Sequence, residues 1–129
     1  MPWVQIFAVF AVCHLVGDFL LQTEWQAEHK HGGLRYRANR GALLAHTFSY
    51  TVAFVPALVW LYDSIGAGVI LLAVLIAAPH MIQDDAYLID QFMLGVKHAD
   101  PAEHPALRVT VDQVFHIVAL FLTALVAAS

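Results

Sequence analysis

Four long apolar runs, separated by shorter polar connections, dominate the pattern of positions along this chain. They cover approximately residues 3–21, 42–62, 65–82 and 109–128. Each run is close to the roughly 20 residues that an α-helix needs to cross a bilayer. The pattern predicts an all-α fold, an integral membrane bundle of four transmembrane helices with up-down topology, in a single domain over 1–129. After Asp84, rough helical spacing predicts an interfacial or continuing helix, followed by a loop over 98–105.

Composition favours a membrane environment over that of an ordinary soluble domain. Hydrophobic residues make up 60% of the chain and charged residues 12%, with a mean hydropathy of +0.70, whereas soluble domains are roughly 45–50% apolar. We therefore expect the protein to lie in the lipid bilayer and either to form a homo-oligomer or to bind another membrane protein. We expect no nucleic acid as a partner. The single cysteine, Cys13, excludes an intramolecular disulfide and a cysteine-based zinc cluster.

Basic residues lie in only two of the connections. Four follow the first apolar run and two precede the fourth: Lys30, Arg35, Arg37, Arg40, Lys97 and Arg108. Because cytoplasmic loops of membrane proteins are enriched in Lys and Arg, both connections are predicted to be cytoplasmic. The chain is thus predicted to be a multi-pass protein of the inner (plasma) membrane with both termini outside.

Seven ionisable residues interrupt the apolar segments, although such groups are costly in a membrane and usually mark a functional site. They are His14, Asp18, His46, His80, Asp84, Asp112 and His116. Six of them form His/Asp pairs four residues apart, a spacing that places both members on one face of a helix. In an up-down bundle all seven fall at about the same depth, near the cytoplasmic face. Helix bundles build metal centres from inward-facing carboxylates and imidazoles of this kind.

We predict that these seven residues bind a divalent transition metal. Zinc is the first candidate and manganese or iron are alternatives, because the donor set contains nitrogen and oxygen but no thiolate. Four imidazoles and three carboxylates exceed one tetrahedral zinc shell, so some must bind a second metal, orient ligands or move protons. Gln22, Tyr50 and Gln113 continue the polar faces as candidate hydrogen-bond partners. Two alternatives stay open: a metal-free polar or proton-relay network, and haem bound by two histidines, which the neighbouring carboxylates disfavour.

Four short motifs contain the ionisable residues. They are HLVGDFLLQTEWQAEHK from His14, LLAHTFSYT around His46, PHMIQD ending at Asp84 and DQVFH from Asp112. Together they resemble the bacterial membrane proteins of unknown-function family 3307, although HMIQD departs from the HFxxD-like form of that family. The resemblance implies an integral membrane protein with His/Asp motifs and no established reaction. A looser similarity in motif style is to membrane-bound metal-dependent hydrolases, which is an analogy only.

Three functions are consistent with these residues. As an enzyme, the protein would use its metal to acidify a water that hydrolyses a membrane-associated ester or phosphoester, with Asp112 or Asp84 as general base. As a transport component, it would bind an ion or a proton transiently. As a structural membrane subunit, it would use the site only to stabilise the bundle. The ligands expected for the enzyme are His14, Asp18, His80 and His116, with His46 as a further ligand or a substrate donor.

Overall fold

The computed structural model describes residues 1–129, which form seven α-helices and no β-strand. The predicted all-α fold is therefore confirmed. The α-helices are α1 Trp3–Leu15, α2 Glu24–His29, α3 Arg37–Ala53, α4 Val55–Ile65, α5 Val69–Asp85, α6 Tyr87–Gly95 and α7 Pro105–Ala128. A π-helical turn, Val16–Leu20, continues α1, and a 3₁₀ turn, Gly66–Gly68, joins α4 to α5.

Three helical stretches are long and apolar enough to cross a membrane: Trp3–Leu20, Val55–Asp85 and Pro105–Ala128. Large apolar side chains such as Phe48 and Ile70 are exposed on the outside of the protein. An extensive exposed apolar surface marks contact with lipid or with another partner, so these features indicate a membrane protein. The predicted count of four spans is matched only in part, because α3 is 17 residues long and carries arginine in its first turn.

The stretch from Val55 to Asp85 turns back on itself at Gly66. This glycine has φ 54° and ψ −131°, a backbone conformation that glycine adopts readily because it has no Cβ. Beyond the turn, α5 packs against α3 and α4. As a result, the His80 ring of α5 stacks on the Tyr50 ring of α3, with centroids 3.4 Å apart. The helix α7 packs against both α1 and α5 and completes the bundle.

One apolar cluster fills the space between these helices. Its members include Phe10, Phe54, Leu61, Ile76 and Leu120, each at most 3% exposed. These residues come from α1, from the α3–α4 segment, from α5 and from α7, so every long element contributes to the same core. The His/Asp residues form a polar layer at one end of this core.

Short helices and connections cover the polar end of the bundle. The Asp85 side chain accepts a hydrogen bond from the Leu34 N–H at 2.9 Å, which attaches the α2–α3 connection to α5. Arg108 donates two hydrogen bonds to the Asp90 carboxylate, at 2.8 and 3.0 Å. The helix predicted in this region is present as α6, and Ala86, with φ 72°, separates it from α5.

Candidate metal centre

The π-helical turn after α1 sets the position of the first carboxylate. Within it the Leu21 N–H bonds to the Val16 carbonyl, five residues back, at 3.0 Å. Widened turns of this kind are frequent at functional sites. Gly17 lies so close to α3 that a Cβ would sit 2.7 Å from Cδ2 of Tyr50. This approach brings Asp18 to the side of α3, where it is only 6% exposed.

Four side chains converge at this point: Asp18, His46, His80 and Asp84. The Asp18 Oδ1 atom lies 3.1 Å from His46 Nε2 and 3.6 Å from His80 Nε2. The Asp84 Oδ2 atom lies 2.9 Å from His46 Nε2 and 2.7 Å from His80 Nε2. The two imidazole nitrogens are themselves 2.9 Å apart. All four residues are buried, and one ligand atom of each lies within 4.8 Å of the others.

Hydrogen bonds within the protein satisfy Asp18, which accepts from the Gln113 amide at 3.3 Å, but they do not satisfy all the polar atoms of the group. Both carboxylate oxygens of Asp84 and the Nδ1 atoms of His46 and His80 are buried without a hydrogen-bond partner. The Lys30 ammonium lies 3.3 Å from Asp84 Oδ2, so the Asp84 oxygen without a permanent positive charge beside it is Oδ1. Buried polar groups are normally paired, and leaving a buried carboxylate oxygen unpaired is costly. A cation held between the Nε2 atoms and the carboxylate oxygens would satisfy Asp84. The donor set therefore fits a metal ion.

Asp84 also belongs to a second group of possible ligands, together with Asp112 and His116 of α7. Its Oδ1 atom lies 3.3 Å from His116 Nε2. The other ring nitrogen, His116 Nδ1, donates a hydrogen bond to the main-chain carbonyl of Asp112 at 2.7 Å. The Asp112 side chain is 23% exposed, so this second group extends from the buried interior toward the protein surface.

His14 is the one predicted ligand that lies outside both groups. Its Nε2 atom donates to Gln113 Oε1 at 2.8 Å, and its Nδ1 atom accepts from the Tyr50 hydroxyl at 2.9 Å. Both ring nitrogens are hydrogen-bonded in this arrangement, so ligation by His14 would require one of these hydrogen bonds to break. The Gln113 amide in turn lies 3.3 Å from Asp18 and 3.3 Å from Asp112. Six of the seven predicted site residues are thus brought together, and His14 contacts them through Gln113.

Lys30 is a further site residue, which the sequence pattern did not reveal. A capping box between Thr23 and Gln26 starts α2, and the chain then returns Lys30 to the His/Asp residues, where it is 7% exposed. Its Nζ atom lies 3.3 Å from Asp84 Oδ2 and donates to Gln22 Oε1 at 2.7 Å. The available sequence signal was its position at the end of the first His/Asp motif.

A pocket of about 430 Å³ opens beside the two groups. Its polar wall consists of Asp18, Gln22, Lys30, His31, Arg108, Asp112 and Gln113. Partial desolvation and the positive charges of Arg108 and Lys30 lower the pKa of His31 to about 4, so this imidazole is neutral near pH 7. The pocket gives a small molecule access to both Asp18 and Asp112.

Comparison with known proteins identifies the family of the chain. The family model described as "Protein of unknown function (DUF3307)" matches residues 6–129. The chain belongs to this family, and the predicted family membership is confirmed. No curated protein and no solved structure matches the chain.

Proposed function

We propose that this member of an unknown-function family is a membrane metalloprotein that hydrolyses a membrane-associated ester or phosphoester. The observation that carries the proposal is the convergence of four buried ligand residues, Asp18, His46, His80 and Asp84, from three separate segments of the chain. The cofactor would be a divalent transition metal, with zinc first and manganese or iron as alternatives. The adjacent pocket supplies room for a substrate.

The spacing of the ligand atoms supports a metal ion of this kind. With metal–ligand bonds of roughly 2.0–2.1 Å, neighbouring ligands lie about 3.3 Å apart in a tetrahedron and about 2.9 Å apart at right angles. The Nε2 atoms of His46 and His80 lie 2.9 Å from each other and 2.7–3.6 Å from the nearest oxygens of Asp18 and Asp84, and all four ligand atoms lie within 4.8 Å of one another. A single ion can therefore be reached by all four with small side-chain movements.

The metal would lower the pKa of a coordinated water to near neutrality. Asp112, whose side chain reaches the pocket, would accept the proton of that water as general base. Asp84 is 1% exposed and is better suited to ligation. The water oxygen forms a bond to the carbonyl carbon or to phosphorus, the bond to the alcohol oxygen breaks, and the alcohol leaves after taking up a proton.

The same proposal includes four membrane crossings, with the metal centre near the cytoplasmic face. The reversal at Gly66 divides the longest apolar stretch into two antiparallel parts, and α3 extends the first part. Basic residues gather at the polar end, where Lys30 and Arg108 line the pocket and Arg35 lies over the Tyr87 ring. By the positive-inside rule that end faces the cytoplasm.

Metal analysis of the full chain, purified in detergent without chelator, tests the proposal. We expect at least one equivalent of zinc, manganese or iron in the wild type and its loss in His80→Ala. The variant should also melt at a lower temperature, since a ligand at 100 times its Kd stabilises a protein by about 2.7 kcal/mol. His104→Ala is the matched control, because His104 is exposed and makes no capping hydrogen bond.

Wild-type protein with far less than one equivalent of any transition metal would contradict the proposal and favour a metal-free His/Asp network. Hydrolysis is tested separately, with metal-loaded protein and a panel of lipid esters and phosphoesters. Bound metal without turnover of any member of the panel would contradict the proposed hydrolytic activity and support only the metal-binding part of the proposal.

A further inference from the structure

We infer that the centre holds two metal ions and that Asp84 bridges them. The inference rests on the proposed metal-binding function and adds a second metal position to it. The first position is formed by Asp18, His46, His80 and Asp84. The second is formed by Asp84, Asp112 and His116.

The orientation of the His116 ring is the main observation. Its Nδ1 atom lies 2.7 Å from a main-chain carbonyl, which can only accept, so Nδ1 carries a hydrogen. In a neutral imidazole the other nitrogen then has a lone pair. That atom, Nε2, is buried without a hydrogen-bond partner and faces Asp84 Oδ1 at 3.3 Å. Two acceptors at this distance repel each other, so either a cation lies between them or the His116 imidazole carries a second proton.

The two oxygens of Asp84 serve different groups of ligands. Oδ2 faces the Nε2 atoms of His46 and His80, at 2.9 and 2.7 Å, whereas Oδ1 faces His116. Hydrolytic two-metal sites hold their ions roughly 3.5–4 Å apart, a separation that one carboxylate can span with an oxygen on each ion. Asp112 provides a further carboxylate oxygen at the second position. Because Asp112 also lines the pocket, the second ion would be open to water on that side.

A protonated His116 paired with Asp84 is the competing arrangement. It requires one metal ion only, and Asp112 then acts as a base and not as a ligand. The two arrangements differ in metal stoichiometry. They also differ in whether removing the charge of Asp112 releases a metal ion. The variant Asp112→Asn distinguishes them because an amide keeps the shape of the side chain but binds metal weakly and cannot accept a proton.

The experiment is metal stoichiometry of the full chain in detergent after loading with Mn²⁺ and removal of the unbound ion. We expect two equivalents in the wild type and in the control His104→Ala, and one equivalent in both Asp112→Asn and His116→Gln. The wild type alone provides a second readout, since two Mn²⁺ ions sharing a carboxylate give an exchange-coupled electron paramagnetic resonance signal. That measurement does not depend on the folding of any variant.

One equivalent in the wild type, unchanged in an inactive Asp112→Asn, would overturn the second position and leave the proposed function intact. Two equivalents without exchange coupling, both retained in His116→Gln, would overturn the bridging role of Asp84. Absence of bound metal from the wild type would overturn the inference and the proposed function together.

Discussion

At the residue scale, a spacing of four positions does not by itself make two side chains share a site. The pair His80 and Asp84 behaves as the spacing predicts, with 2.7 Å between Nε2 and Oδ2. The pair His14 and Asp18 does not, since His14 Nε2 is 3.8 Å from Asp18 Oδ2 and the His14 ring forms its hydrogen bonds with Gln113 and Tyr50. The π-helical turn begins between the two residues, and it changes the angle between their side chains. No pattern of residues in the sequence predicts such a turn.

The hydrogen bonds of His14 lead to a prediction that differs from the one for the metal ligands. His14→Ala should keep the bound metal while lowering the melting temperature, because Gln113 and the Tyr50 hydroxyl lose their partner. Each buried polar group left unpaired costs about 1–3 kcal/mol. Metal content and thermal denaturation, measured beside His80→Ala, check this. Loss of metal from His14→Ala would return His14 to the ligand set.

At the element scale, the geometry of the proposed metal centre depends on how closely the π-helical turn approaches α3. Gly17 permits the approach, because its Cα faces Tyr50 directly. Tyr50 also stacks on His80 and contacts His14. A change in the distance between the π-helical turn and α3 would move Tyr50, and Tyr50 would in turn shift His80, a ligand of the first metal position.

Gly17→Ala should weaken metal binding and destabilise the protein by about 1–3 kcal/mol, the usual cost of overpacking. The added methyl group would lie 2.7 Å from Tyr50 Cδ2 and 3.3 Å from its Cα, so the tyrosine must shift. Gly95→Ala is the matched control, since nothing lies within 4 Å of a Cβ there. Equal melting temperatures and equal metal affinities for the two variants would show that the close approach has no such role.

At the scale of the whole molecule, the pattern of apolar residues predicted the helices well, because a chain in lipid must present continuous apolar surface. It also predicted that residues distant in sequence, such as Asp18 and His80, meet at one depth. It did not predict Lys30 beside Asp84, since that contact depends on how α2 folds back. The number of spans could be predicted only in part, because the second apolar run, 42–62, is divided between the two helices α3 and α4.

The proposed topology can be tested by cysteine labelling, since Cys13, the one native cysteine, is buried. In intact cells, Ser64→Cys and Ser129→Cys should react with a membrane-impermeant maleimide from outside. Glu103→Cys should react only after lysis, because the basic connections are proposed to face the cytoplasm. Labelling of Ser64→Cys and Ser129→Cys from opposite sides would rule out four crossings.

The ligands are distributed unevenly along the chain. All four residues of the first metal position lie within the first 84 residues, whereas Asp112 and His116 come from the last helix. A ribosome therefore completes the hairpin that carries His46 and His80 before it synthesises α7. Because α7 packs against both α1 and α5, its insertion closes the centre from one side. In the proposed two-metal centre, the four ligands of the first ion are therefore complete before the last helix arrives, whereas the second ion has to wait for it.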